Sequence, residues 1–267
     1  MEKIAVISDV HANITALNAV LSDIKNRNIR KIICLGDIVS KGANPKKVID
    51  IIKENCEVIL KGNCDEVMTS DKALIKKFWT RMQIGEERAE FLKNLPIMYE
   101  FYLSGYLIRL FHASPYGLDL LFNPAYSNKK NSYANLEIDN PLDLFKNTEF
   151  IGKTEKDKIP DIIGYGHIHT PNLVRYQNKL IFNTGSVGAP IEMLNKNEYC
   201  PTNKFSTVAS YTILEGKHDE KELQPILITN VRVPYNIGEE IEILKNSSMP
   251  GKEKIIKSLK TAISEYK

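Results

Sequence analysis

Cysteine is scarce in this 267-residue chain, and Cys34, Cys56, Cys64 and Cys200 show no paired spacing. A disulfide framework is therefore excluded as an organising principle, and Cys34, inside an apolar run, reads as a small core residue. Long apolar stretches are missing too. The opening Met1-Glu2-Lys3-Ile4-Ala5-Val6-Ile7 is far too short to cross a membrane and carries no pattern of a secretory leader. The expectation is a soluble protein of the reducing cytoplasm, without a membrane partner. Nor does one sign of charge dominate: 36 Lys and Arg are interleaved with 33 Asp and Glu, for a net +3. That pattern lacks a nucleic-acid footprint, although it leaves room for a local basic pocket. Internal repeats, low-complexity segments and clear linkers are absent. A single domain over residues 1–267 is expected, with a helical insert at 66–104 and a C-terminal helical tail at 237–267.

What is present is a pattern of short apolar runs, each stopping at polar residues. Ile4 to Ile7 reads as a strand buried on both faces. Asn13 then caps a helix whose apolar face is Ile14, Leu17, Val20, Leu21 and Ile24. Ile32 to Leu35 is the next strand, and Pro45 opens a helix running to Asn55. Val58 to Leu60 is the third. Three strand–loop–helix units imply parallel α/β architecture with right-handed crossovers.

From Glu66 to Leu95 no strand is evident. There Phe78, Trp79, Met82, Phe91 and Leu92 suggest two helices, packed across the sheet or over a cleft. Strands are expected again at 106–111, 161–165, 173–176, 180–183, 208–214 and 226–233, with a helix near Leu142 to Lys146 and a tight turn at Gln177-Asn178-Lys179. In the tail, Ile255, Ile256, Leu259 and Ile263 share one helical face.

Asp9, His11, Asp37, Asn63, His112, His167 and His169 all follow apolar runs directly. In open α/β sheets ligands bind beyond the carboxyl ends of the strands, so these side chains project toward one edge. Gly166-His167-Ile168-His169 adds two imidazoles on one side of an extended backbone, and its glycine lets the main chain approach closely. The fifth histidine, His218, lies in a charged loop and is assigned no role. Two carboxylates, four imidazoles and one amide oxygen suit two borderline divalent metals. Asp37, in the central strand position, is the natural bridge. Asp9, His11 and His169 would complete one ion, and Asn63, His112 and His167 the other. Mixed nitrogen and oxygen ligation favours Mn, with Fe, Zn, Co or Ni as alternatives, over Mg or Ca.

Asp9-x-His11, Gly36-Asp37, Gly62-Asn63, His112 and Gly166-His167-x-His169 resemble, in order and context, the calcineurin-like metallophosphoesterases. Gly36 to Pro45, Asn183-Thr184-Gly185-Ser186-Val187-Gly188 and Arg232-Val233-Pro234-Tyr235-Asn236 look like the small bacterial and archaeal members. The resemblance covers about residues 1–65 and 105–236. It implies a four-layer α/β/β/α sandwich of two mixed sheets flanked by helices, the insert lying over a dinuclear site, and it supports the ligand division above.

Three residues depart from the pattern. Ala12 and Ala113 stand where many members have glycine, and Cys64 stands where protein phosphatases and many nucleases carry histidine. Cys64 occurs in a subgroup of phosphodiesterases and dinucleoside polyphosphate hydrolases. The expected activity is therefore metal-assisted hydrolysis of a small phosphoester or nucleotide, by a hydroxide bridging the ions. Asp37 and the metals would carry it. Cys64 would donate a proton to the leaving group or shape the pocket, and Asp65 would orient a ligand histidine or cap a helix. Lys41 and Lys46 either steer an anionic substrate or are simply solvated. A phosphomonoesterase or protein phosphatase, and a non-catalytic scaffold, are the rival readings. A homo-oligomer remains compatible with the sequence.

Overall fold

The structure, a computed structural model, describes residues 1–69, 75–120, 122, 124, 138, 140–152, 154, 158–191, 206–218 and 220–263. The expectation for Cys200 lies outside them. Among the described residues no helix is long and apolar enough to cross a membrane.

The first unit alternates as its sequence pattern requires. Strand β1 (Glu2–Ile7) leads to helix α1 (Ile14–Asn26), then β2 (Lys31–Cys34), α2 (Pro45–Asn55) and β3 (Val58–Ile59). β1 pairs in parallel with β2, and β2 with β3. The Asn13 side chain accepts the Ala16 N–H at 3.0 Å, and Pro45 occupies the first turn of α2, so both helices start where their capping residues dictate. Strands β9 (Val208–Gly216) and β10 (Leu227–Pro234) extend the sheet antiparallel on the far side of β1, giving the order β10-β9-β1-β2-β3. β1, not the β2 strand that precedes Asp37, is thus the central one.

The second sheet, β4-β5-β6-β8-β7, holds β4 (Met98–Leu103), β5 (Tyr106–Phe111), β6 (Ile162–Tyr165), β7 (Asn172–Tyr176) and β8 (Lys179–Asn183). Its interior pairs β5–β6 and β6–β8 are parallel and its two edges antiparallel. Both sheets are mixed, and helices flank the first.

Side-chain alternation sorts the core. On β1, Ala5 and Ile7 join the layer under α1 and α2, while Ile4 and Val6 enter the layer between the sheets. There they meet Ile33, Leu35, Phe101, Leu103, Ile108, Leu110, Ile162 and Phe182, all buried. Each such aliphatic side chain contributes about 1.5–3 kcal/mol through burial. This apolar layer fixes the distance between the sheets, and hence whether their loops can meet. On the outer face of the second sheet, Tyr165, Ile163 and Ile181 are covered by Phe122 and by Leu144 and Phe145 of a 3-10 helix (Pro141–Phe145).

Two expectations change in the 66–104 stretch. Residues 98–103 form an edge strand, because Ser104 and Gly105, both at positive φ, turn the chain tightly into β5. The stretch is therefore not a helical insert throughout. Its helical part comprises α3 (Asn63–Thr69) and α4 (Ile75–Lys93), and α4 breaks at Gly85, where φ is 73°. Ile84, Ala89 and Leu92 bury against the α2 side of the first sheet, so the described part of the insert joins that helix layer. Phe78 and Met82, read above as packing residues, are 57% and 65% exposed.

The tail contains α5 (Ile237–Asn246) and α6 (Lys252–Thr261). Ile255 and Leu259 are buried as their spacing requires, but Ile263 lies past the end of α6 and is exposed.

Candidate metal centre

The loops following β1, β2, β3, β5 and β6 converge between the two sheets. The 9–12 and 36–38 loops run side by side, with Asp9 N–H donating to Gly36 O, His11 N–H to Asp37 O and Ala12 N–H to Ile38 O, each at 2.9 Å. Gly166 N–H donates to His112 O at 2.8 Å and ties the two loops of the second sheet together. Asp9, His11, Asp37, Lys41, His167 and His169 all have φ between 49° and 65°. A non-glycine residue held there costs on the order of 1–3 kcal/mol, so the fold bears this strain repeatedly at one place. Ala12, at φ 55°, stands in the left-handed region that glycine favours.

All seven predicted ligands come together, in two clusters that share Asp37. In the first, Asp9 Oδ1 lies 3.1 Å from His169 Nε2, His11 Nε2 lies 3.1 Å from His169 Nε2, and Asp37 Oδ2 lies 3.6 Å from His11 Nε2. In the second, Asn63 Oδ1 is 3.0 Å from His112 Nε2 and 3.1 Å from His167 Nδ1, while Asp37 Oδ1 is 3.5 Å from His112 Nε2. Asp37 thus turns one oxygen to each cluster.

The imidazoles are oriented from behind. Nδ1–H of His11, His112 and His169 donates to the carbonyls of Val39, Leu35 and Ala189, at 3.3, 3.0 and 2.6 Å. Each Nε2 lone pair is thereby left facing inward, as a metal ligand requires. Asp9 Oδ2 accepts the His167 N–H at 2.9 Å, whereas the buried Asp9 Oδ1 has no hydrogen-bond partner.

Burial and neighbours set the charges. Burial alone would raise Asp9, but the histidines around it, His169 foremost, hold it well below the usual carboxylate range. Asp37 is likewise lowered against its burial, by His112 and His11. Burial, with Lys41 next, pushes His11 far below its ordinary value, and burial with His112 lowers His167 to about 4. Neutral imidazoles and ionised carboxylates are the protonation states a divalent cation binds.

That donor set fits a metal. Two Nε2 lone pairs 3.1 Å apart, each with its Nδ1–H committed elsewhere, need positive charge beside them, and so does the partnerless Asp9 Oδ1. Lys41 supplies some of it: Nζ lies 3.0 Å from His11 Nε2 and 3.5 Å from His169 Nε2. Lys41 therefore belongs to the centre and is not merely solvated, whereas Lys46 is exposed.

Cys64 and Asp65 take distinct places. The Cys64 N–H donates to Asp37 Oδ1 at 2.8 Å, and its sulfur, one Asp37 oxygen and one His11 ring nitrogen lie within 4.8 Å of one another. Burial, with Asp37 next, raises its thiol well above the usual range. Asp65 touches no ligand histidine. Its Oδ1 accepts the Ile38 and Val39 N–H groups at 3.0 and 3.3 Å, and its Oδ2 the Gly62 N–H at 3.0 Å. Burial, with Asp37 next, raises its pKa to about 7. It caps the start of α3 and pins the loop that carries Asp37.

Three supporting contacts lie beyond the sequence reading, which gave Asn13 only its role as a helix cap. Asn183 Nδ2 donates to Gly166 O at 2.5 Å, Ser186 Oγ donates to Asp9 O at 2.8 Å, and Asn13 Nδ2 donates to Gly188 O at 3.2 Å. The signal for the first two lay in the Asn183–Gly188 run, a polar and glycine-rich stretch directly after an apolar strand.

Comparison with known proteins agrees with this geometry. Residues 2–215 match the profile of the calcineurin-like phosphoesterase superfamily domain. The chain is 32% identical over 265 residues to an uncharacterized protein of Methanocaldococcus jannaschii, covering 89% of this chain and 96% of that one. A metallophosphoesterase from Sphaerobacter thermophilus shares the fold with a TM-score of 0.65 at 22% identity, over 97% of this chain and 99% of the other. A hypothetical protein from Pyrococcus horikoshii OT3 shares it with a TM-score of 0.69 at 18% identity, over 97% and 98%.

Proposed function

The chain belongs to the calcineurin-like phosphoesterase superfamily, and on that premise we propose that it hydrolyses phosphodiesters or dinucleoside polyphosphates with two divalent cations, Mn favoured. The observation that carries this reading is the division of Asp37, one carboxylate oxygen toward each histidine cluster. Asp9, His11, His169 and Asp37 would hold one ion, and Asn63, His112, His167 and Asp37 the other. Ions so held would supply Lewis acidity toward phosphoryl oxygen and would lower the pKa of water toward neutrality.

The protein's own groups do the rest. Lys41 brings an ammonium to the first cluster, where it pairs with a phosphate oxygen and offsets charge gained in the transition state. All four histidines are committed as ligands, so none is free to protonate a leaving group. Cys64, the thiol beside Asp37, is a protic side chain at that position. A thiol is a weak acid there, which favours leaving groups needing little help, such as a nucleotide phosphate or an aryl oxide.

The test compares a nitrophenyl diester, its monoester and dinucleoside polyphosphates with Mn²⁺, Fe²⁺, Zn²⁺, Co²⁺ and Ni²⁺ in turn. Preference for diester or polyphosphate is the expected result. Strong monoester preference would overturn the substrate class, and fewer than one ion per chain would favour a scaffold.

A further inference from the structure

The tail helices α5 and α6 lie beyond residues 2–215 covered by the family profile, yet they reach the centre at two points. The first is Ala189. It packs in one buried cluster with Ile241, Leu244, Ile255 and Leu259, and its carbonyl takes the Nδ1–H of His169 at 2.6 Å. Its N–H in turn donates to Ser186 Oγ at 2.8 Å, and that hydroxyl donates to Asp9 O at 2.8 Å. The second is Thr15, in the first turn of α1 four residues after His11. Its hydroxyl donates to Oε2 of the buried Glu240 on α5 at 2.8 Å. Between the two contacts, a cavity of about 10 Å³ is lined by Asn13, Lys41, Gly188, Glu240, Ile255 and Leu259.

The Ala189 contact serves His169 and Asp9, and the Thr15 contact holds the start of α1, which follows the loop of Asp9 and His11. The other cluster is held differently: His112 by Leu35 O, and Asn63 by its place at the start of α3. Resting on the metal reading given above, we propose that the α5–α6 pair is a positioning element for one of the two ion sites. Acting through Ala189 on His169, and through Glu240 and Thr15 on the start of the helix that follows His11, it sets the site of Asp9, His11 and His169 and bears on the other less directly, through the Asp9 carboxylate that takes the His167 N–H.

A carbonyl that fixes a ligand imidazole is worth about 10- to 100-fold in metal affinity. Truncating Leu259, a member of the buried cluster around Ala189, should therefore weaken one ion far more than its neighbour. The experiment is Mn²⁺ equilibrium dialysis of the full-length protein with metal analysis, on Leu259→Ala and Thr15→Val. Each is made alone, in a His112→Ala background and in a His169→Ala background. Alone, either variant should bind one ion about 10- to 100-fold more weakly than wild type. In the His112→Ala background the remaining ion should weaken by that factor, and in the His169→Ala background by far less. Leu259→Ile should restore binding.

Loss of general folding would move both backgrounds alike, and the thermal midpoint of the metal-free protein reports it separately. Equal weakening in both backgrounds, or none in either, overturns the inference. Should Leu259→Ala fail to fold, Thr15→Val decides. A wild-type chain that binds no Mn²⁺ sinks both this inference and the hydrolase reading. Two ions with the stated asymmetry but no ester hydrolysis would sink the hydrolase reading alone.

Discussion

Gly62 lies so close to Asp37 that a methyl group on its α-carbon would stand 2.2 Å from both the Asp37 backbone nitrogen and Oδ1. The loops after β2 and β3 can touch only because this position has no side chain, and their contact puts Asp37 beside Asn63 and Cys64. Gly62→Ala must push the loops apart at a cost of about 1–3 kcal/mol, the usual penalty for overpacking. Chemical denaturation should show that loss, and metal analysis should show weakened ion binding in whatever folds.

Asp37 serves both clusters, whereas each histidine serves one. Asp37→Ala is therefore expected to abolish both ions, and His169→Ala or His112→Ala only one. Metal content per chain after dialysis distinguishes these outcomes.

Lys41 is expected to matter for turnover rather than for assembly. Lys41→Met should leave two ions bound and lower diester hydrolysis on the order of 10²-fold, comparable to removing one donor to developing negative charge. Steady-state kinetics on the diester, alongside metal analysis, checks both halves.

Arg109 is wholly buried, and its cross-strand partner is Glu100 on β4, with Nε to Oε1 at 2.7 Å. Its remaining donors reach the Lys146 carbonyl at 3.0 Å and Asn147 Oδ1 at 2.6 Å, anchoring the segment after the 3-10 helix. Glu100→Ala leaves a buried guanidinium without its carboxylate and should cost about 3–5 kcal/mol. Urea unfolding measures it.

Burial raises the pKa of Glu240 above its ordinary 4.5, so the folded state holds that proton more tightly than the unfolded chain. The associated stability is present below 4.5 and lost as pH rises through the folded value. Glu240→Gln still accepts from Thr15 but does not titrate. Its thermal midpoint relative to wild type should climb as pH rises above 4.5 and then level off. Scans between pH 4.5 and 8 would detect this, and a constant difference would refute it.

Much of this was legible in the sequence because apolar runs ending at polar residues encode both the strands and the side chains that meet beyond them. Ile4 to Ile7 followed by Asp9 and His11 states a strand and its cargo in eight residues, and all seven side chains that converge at the centre could be read that way. The Pro45–Asn55 helix matched its expected bounds, since Pro at its first turn and the apolar spacing agree.

The misses have physical causes. Met98 to Leu103 turns Tyr99, Phe101 and Leu103 to the layer between the sheets, but Glu100 puts a charge on the opposite face that makes sense only beside Arg109. Ser104-Gly105 was the available turn signal. Phe78 and Met82 sit at helical spacing without being buried, because periodicity reports that a stripe exists and not what covers it. Asp65 was invisible in its actual role, since a carboxylate that binds three backbone N–H groups from two loops leaves no pattern along one chain.

Asp9 and Asp37 hang from the first sheet and His112 and His167 from the second, and the apolar layer of Ile4, Val6, Phe101 and Leu110 sets their spacing together with the hydrogen bonds of His112 to Leu35 O and of the His167 N–H to Asp9 Oδ2. No excised half of the chain contains the constellation. Affinity for a cation therefore reads out correct docking of the two halves, and a chain stalled with its sheets apart would be blind to metal.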